Sequence, residues 1–76
     1  MIIHVRLLGG LGGPGSADEQ RPLDLPIAST VADLRVYLKI PARDAHIIVL
    51  NGLHAENSEI LKEGDTVSIF PPVAGG

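Results

Sequence analysis

A chain of 76 residues has room for one small core and not for a second lobe that closes over a substrate cleft. Its 45% hydrophobic and 20% charged residues are the composition of a packed domain. Only Tyr37 and Phe70 are aromatic and the net charge is −3, which leaves neither base-stacking platforms nor a basic stripe and excludes nucleic acid as an expected partner, while the absence of cysteine excludes a disulfide framework and a Cys-based zinc site.

Residues 2–8 (IIHVRLL) alternate, with Ile3, Val5 and Leu7 on one side and His4 and Arg6 on the other, the period of a half-buried strand. Residues 9–19 (GGLGGPGSADE) are rich in glycine and read as a turn-rich connection. Alternation resumes over residues 20–27 through Leu23, Leu25 and Ile27, an antiparallel return in which Pro22 and Pro26 suit a sheet edge because proline cannot donate to a ladder. Ser29 and Thr30 offer hydroxyl caps to VADLRVYLK, where Val31, Leu34 and Leu38 form one apolar helical stripe. Asp33 places negative charge in the first turn, where the helix dipole favours it, and Pro41 stops the helix near Lys39 or Ile40.

The run HIIVL is a further strand, Asn51-Gly52 is a hairpin turn that accepts positive φ at both positions, and Leu53 and His54 begin a short return. Apolar residues fall on both faces of Ile47–Leu50, which fits either a fully buried strand or an exposed patch that docks a partner. Residues 55–61 are ambiguous, one helical turn carrying Ile60 and Leu61 being the reading considered. Glu63-Gly64-Asp65 then turns the chain into TVSIF, with Val67 and Ile69 on one face. This order predicts an α+β fold of the β-grasp (ubiquitin-like) type, a mixed four- to five-stranded sheet packed on one helix with its first and last strands adjacent and parallel. The expected division is a domain over residues 1–70 and a flexible tail over 71–76 that ends in Gly-Gly.

Pro71 has no N–H and fixes φ, so it ends ladder pairing, and the chain leaves as Pro71-Pro72-Val73-Ala74-Gly75-Gly76. Six extended residues reach up to about 20 Å, enough to enter another protein's active site. The side chains shrink from Val73 to Gly76, a taper suited to a narrow channel, and glycine lets a terminal carboxylate approach a nucleotide phosphate with no Cβ in the way. A free carboxylate is a poor acyl donor. Attack by Gly76 on the α-phosphate of ATP makes an acyl-adenylate, to which a sulfur nucleophile can add to leave a thiocarboxylate.

LNG followed by LKEGDTVSIFPPVAGG resembles the MoaD/ThiS family of ubiquitin-like sulfur carriers, and Phe70-Pro71-Pro72 resembles its molybdopterin branch rather than its thiamin-thiazole branch. The resemblance implies that Gly76 carries the thiocarboxylate and that Phe70, Pro71, Pro72, Val73, Ala74 and Gly75 contact partner enzymes. It implies three partners: a ubiquitin-activating-type adenylating enzyme (MoeB-like) that consumes ATP, a sulfurtransferase, and a large synthase subunit (MoaE-like). The chain is then a carrier without catalytic side chains or a bound cofactor, and it donates sulfur in molybdopterin (molybdenum cofactor) biosynthesis. Relatives often have a helical segment where this chain has GGLGGPGSADE. The same activated carboxylate also serves a ubiquitin-like protein modifier joined to target lysines, or a carrier for thiamin thiazole, tRNA thiolation or a tungsten cofactor. An interaction module with an inert tail is a third reading.

Other motifs read blandly. Gly10–Gly15 has the G-x-G-x-x-G spacing of a dinucleotide loop but contains a proline and precedes a strand, so it reads as a hairpin loop. His4, His46 and His54 lie on separate strands without metal-ligand spacing and read as surface positions. Asp18, Glu19 and Asp65 read as solvated carboxylates, and neither Ser16 nor Ser68 has a base at a recognisable spacing. Met1 leads into a strand pattern rather than a signal peptide, and Ile47–Leu50 is too short to span a bilayer, so no membrane partner is expected and the expected address is cytoplasmic.

Overall fold

The computed structural model describes residues 1–8, 20–40 and 46–71. Along the chain come β1 (Ile2–Leu7), β2 (Gln20–Asp24), α1 (Val31–Tyr37), β3 (Ile47–Leu50), β4 (Leu53–His54) and β5 (Thr66–Phe70). The strands form one mixed sheet in the order β2-β1-β5-β3-β4. β1 and β5 run parallel side by side, with Val5 beside Val67 and Leu7 beside Ile69, and the other neighbours are antiparallel. This is the expected β-grasp.

Burial follows the two-residue period. Ile3, Val5, Ile48, Val67 and Ile69 are at most 3% exposed and form one cluster with Val31 and Leu34 of α1, Leu25 and Leu61. Both readings of Ile47–Leu50 are half right: Ile48 is in the core and Leu50 packs against it, while Ile47 is exposed and Val49 half-buried on the other face. β2 is an edge strand, so Pro22 costs the ladder no donor it needs. The strand stops at Asp24 rather than running on to Ile27. Leu25 is buried as expected, but Pro26 O accepts from both Ser29 N (3.2 Å) and Ser29 Oγ (2.7 Å), which folds 26–29 into a turn. Ala28 takes φ of 73° there, and Ile27 ends at the tip, 85% exposed.

Thr30 caps α1. Its Oγ accepts from Asp33 N at 3.2 Å, and the Asp33 carboxylate accepts from Thr30 N at 2.9 Å, a reciprocal capping box. The remaining donors of the first turn decide the fate of residues 55–61. Val31 N donates to Glu59 O at 2.9 Å and Ala32 N to Asn57 O at 3.0 Å, while Leu61 N donates to Ser29 O at 2.8 Å. The segment packs against the helix start with its carbonyls as caps. It makes one hydrogen-bonded turn, Glu59 N donating to Glu56 O at 3.1 Å, and no helical turn carrying Ile60 and Leu61 forms. Leu61 points inward and Ile60 outward, as alternation requires.

α1 ends at Tyr37, earlier than Pro41 alone would impose. Lys39 adopts φ of 59°, its N–H bonds Val36 O at 3.0 Å, and Ile40 N bonds Arg35 O at 2.9 Å. These are the two bonds of a Schellman motif, with lysine where glycine is usual. Asn51 and Gly52, with φ of 50° and 86°, make the expected two-residue turn between β3 and β4. The Gly-rich connection over 9–19, the loop Gly10–Gly15 within it, Asp18, Glu19, Pro41 and the tail from Pro72 onward lie outside the described residues.

Candidate functional site

The last described residues leave from the middle of the sheet. β5 lies between β1 and β3, so Pro71 emerges at the centre of one sheet end and not at an edge. β5 stops at Phe70, as the missing N–H of Pro71 requires, and Pro71 itself is half-buried. Before that exit the strand is held from both sides: Leu8 N bonds Ile69 O at 3.0 Å, and Ile48 stands beside Ile69 on β3.

Its start is held harder. Asn51 Oδ1 accepts from Thr66 N at 2.9 Å, Asn51 Nδ2 donates to Asp65 Oδ1 at 3.0 Å, and Asp65 Oδ2 accepts from Lys62 N at 2.7 Å. Gly64 N bonds Ile2 O and His4 N bonds Asp65 O, both at 2.8 Å, and Glu63 Oε1 accepts from Ile2 N at 3.0 Å. Gly64 needs its φ of 83° to make this turn. Asp65, read from sequence as a solvated carboxylate, is thus a structural acceptor. The clasp ties β5 to the β3–β4 hairpin and to β1, and so fixes the strand that leads to Phe70 and Pro71.

The outer face of the sheet, opposite α1, is the surface next to that exit. Register places Phe70 opposite Ile47, Ser68 between Arg6 and Val49, and Val49 opposite His54. Phe70 and Ile47 are 38% and 40% exposed, and Val49 is half-buried beside them. An exposed cross-strand aromatic–aliphatic pair contributes little to a core it does not enter, and apolar surface of this kind is what partner proteins cover. Of the residues named from sequence, the structure brings Phe70 and Pro71 to this exit. Pro72, Val73, Ala74, Gly75 and Gly76 lie outside the described residues. Ile47 and Val49 join Phe70 here, which sequence could signal only through the two-faced apolarity of HIIVL; Arg6 shares the face because alternation turns it away from Ile3 and Val5 and because β1 lies beside β5.

Elsewhere the chemistry is sparse. His54 is exposed as expected, whereas His4 and His46 are half-buried, and among the described residues no group of three His, Cys, Asp or Glu side chains could hold a metal ion. A depression of about 460 Å³ lined by Leu25, Pro26, Ile27, Asp33, Val36 and Tyr37 opens beside α1, away from Phe70. Among the described residues no helix is long and apolar enough to cross a membrane.

Solved structures match this architecture over 96–100% of the chain. SAMP1 from Haloferax volcanii aligns at a TM-score of 0.78 and 22% identity, covering 100% of both chains. A putative molybdopterin converting factor subunit 1 from Pyrococcus furiosus aligns at 0.74 and 24%, covering 96% of this chain and 99% of that one. A chain of the complex of subunits 1 and 2 of the molybdopterin-converting factor from Helicobacter pylori aligns at 0.66 and 27%, covering 100% of both. The fold is that of a ubiquitin-like β-grasp protein. Residues 15–76 match the model of the ThiS family, and the chain belongs to that family, the MoaD/ThiS-type small carriers. No sequence match was found among curated proteins.

Proposed function

We propose that this chain is a sulfur carrier of molybdopterin biosynthesis whose working group is the Gly76 carboxylate. The observation that carries the reading is the run Phe70-Pro71-Pro72-Val73-Ala74-Gly75-Gly76, rooted on the central strand and included in the family match. Residues 71–76 act as a reaching tail on the domain of residues 1–70. A carboxylate oxygen of Gly76 attacks the α-phosphorus of ATP on an activating enzyme, and pyrophosphate leaves. A sulfide equivalent delivered by a sulfurtransferase then adds to the acyl carbon, AMP leaves, and the thiocarboxylate remains. Catalytic side chains and ATP belong to the partners, and Phe70 through Gly75 provide the contacts that seat the tail. The similarity to a chain solved in complex with subunit 2 of a molybdopterin-converting factor supports a large synthase subunit as the final partner.

The test is the intact mass of the native protein after incubation with an adenylating enzyme of the ubiquitin-activating type, ATP and a sulfur source. The expected result is a gain of about 16 Da, sulfur for oxygen on the acyl carbon, confined to the C-terminal peptide. Deleting Gly75 and Gly76 should leave the fold intact and abolish the gain. Retained transfer in the deletion variant would refute the tail mechanism.

A second reading, a protein modifier, draws on the likeness to SAMP1, a small archaeal modifier protein. It uses the same acyl-adenylate but ends in an isopeptide bond to a lysine. Conjugates that survive reducing, denaturing gels would favour it over the carrier reading.

A further inference from the structure

We infer that Arg6 selects the activating partner of this chain by pairing with a carboxylate that the partner presents to the outer face of the sheet; this rests on the carrier reading above. Asp24 lies 3.4 Å from the N-terminal ammonium, Glu63 accepts from Ile2 N, and Asp65 accepts from Asn51 and Lys62 N. These bordering carboxylates are all engaged within the chain. Arg6 is not: it is exposed, and its guanidinium has no ion pair or hydrogen bond among the described residues.

Position makes the difference consequential. The row that crosses the sheet at Arg6 reads Gln20, Arg6, Ser68, Val49, His54, and it holds no carboxylate. The adjacent row, Pro22, His4, Thr66, holds none either. Arg6 is separated from Val49 by β5 alone, so the two lie two strand spacings apart, about 10 Å. A standard interface covers about 800 Å² per partner, a disc roughly 30 Å across, wider than the five-stranded sheet at about 20 Å. A protein footprint of that size centred on Phe70, Ile47 and Val49 takes in Arg6 as well. A guanidinium removed from water without an acceptor is strongly unfavourable, so the productive partner must supply one, and a planar, bidentate carboxylate is the acceptor that fits it. A carrier whose net charge is −3 would otherwise be repelled by an acidic surface. Arg6 makes a locally acidic patch the recognised one.

The test is ATP–pyrophosphate exchange by the ubiquitin-activating-type enzyme of the same organism, with the concentration of carrier varied, for wild type, Arg6→Glu and Arg6→Gln. Thermal unfolding should be nearly the same for all three, since Arg6 has no partner among the described residues to lose. The expected result is a KM for the carrier raised about tenfold or more in Arg6→Glu and about threefold in Arg6→Gln, with kcat within about twofold. The gap should narrow at high ionic strength. Replacing the facing carboxylate of the enzyme by lysine should restore Arg6→Glu. An unchanged KM in Arg6→Glu, a loss confined to kcat, or a loss indifferent to salt overturns the inference while leaving the carrier reading standing. Absence of exchange with the wild-type chain overturns both.

Discussion

Ile69 and Phe70 are consecutive residues of the same strand, and they live in different solvents. Ile69 is 0% exposed, packed in the cluster under α1, whereas Phe70 is 38% exposed on the opposite face, paired with a half-exposed Ile47. Both are large and apolar, so the hydrophobic effect favours covering both, but the fold covers one. The difference separates two uses of apolar surface. On the inner face it is consumed in making the domain; on the outer face it is left over beside Pro71, where we propose that a partner docks. The clasp of Asn51, Asp65 and Thr66 keeps the two faces in register by holding the start of β5.

The largest effect should come from breaking the inner face. Ile69→Ala removes a fully buried side chain from a small core, at a cost of about 2–5 kcal/mol depending on how far the site relaxes. In a chain of 76 residues that is a large share of total stability, and urea unfolding should find the variant marginally folded or unfolded at 25 °C. Phe70→Ala tests the outer face. Its stability cost should be about 1 kcal/mol or less, while the KM for an activating partner should rise about tenfold or more, as expected of an aromatic anchor. A Phe70→Ala variant that unfolds like Ile69→Ala, yet is activated normally when folded, would erase the distinction between the faces.

Much of the inner face was legible from sequence and little of the outer. The alternation of Ile3 and Val5, and of Val67 and Ile69, dictates which residues point inward because a strand has a fixed period of two. Asn51-Gly52 dictates its own turn because few residues tolerate positive φ at both positions. The failures were places where distant backbone overrides local pattern. Residues 55–61 are shaped by unsatisfied N–H groups of Val31 and Ala32, which no window around 55–61 contains. Ile27 continues an alternation that the Pro26–Ser29 turn interrupts. Of the candidate site, Phe70 and Pro71 were named from sequence and stand at the exit, residues 72–76 lie outside the described residues, and the company of Phe70, Ile47 and Val49 is a matter of strand order, which sequence proximity hides.

Two smaller effects sharpen the comparison by acting on the helix side alone. Thr30→Ala removes the acceptor for Asp33 N and should cost about 1 kcal/mol. Circular dichroism should show a lower Tm, and exchange kinetics with an activating enzyme should be unchanged below the new transition, because Thr30 lies on no residue row of the outer face.

Lys39→Gly should act in the opposite direction. Lys39 sits at φ of 59°, where a Cβ is penalised by about 1–2 kcal/mol, in a Schellman motif whose two backbone bonds glycine keeps intact. Glycine also has more freedom in the unfolded chain, which subtracts from the gain. The balance should favour the variant by about 0.5–1 kcal/mol, a rise in Tm of several degrees for a domain of this size. Lys39 is exposed and lies on no residue row of the outer face, so the KM for an activating partner should stay that of the wild type. A more stable variant that is activated more slowly would instead show that the helix end, and not only the sheet, meets the partner.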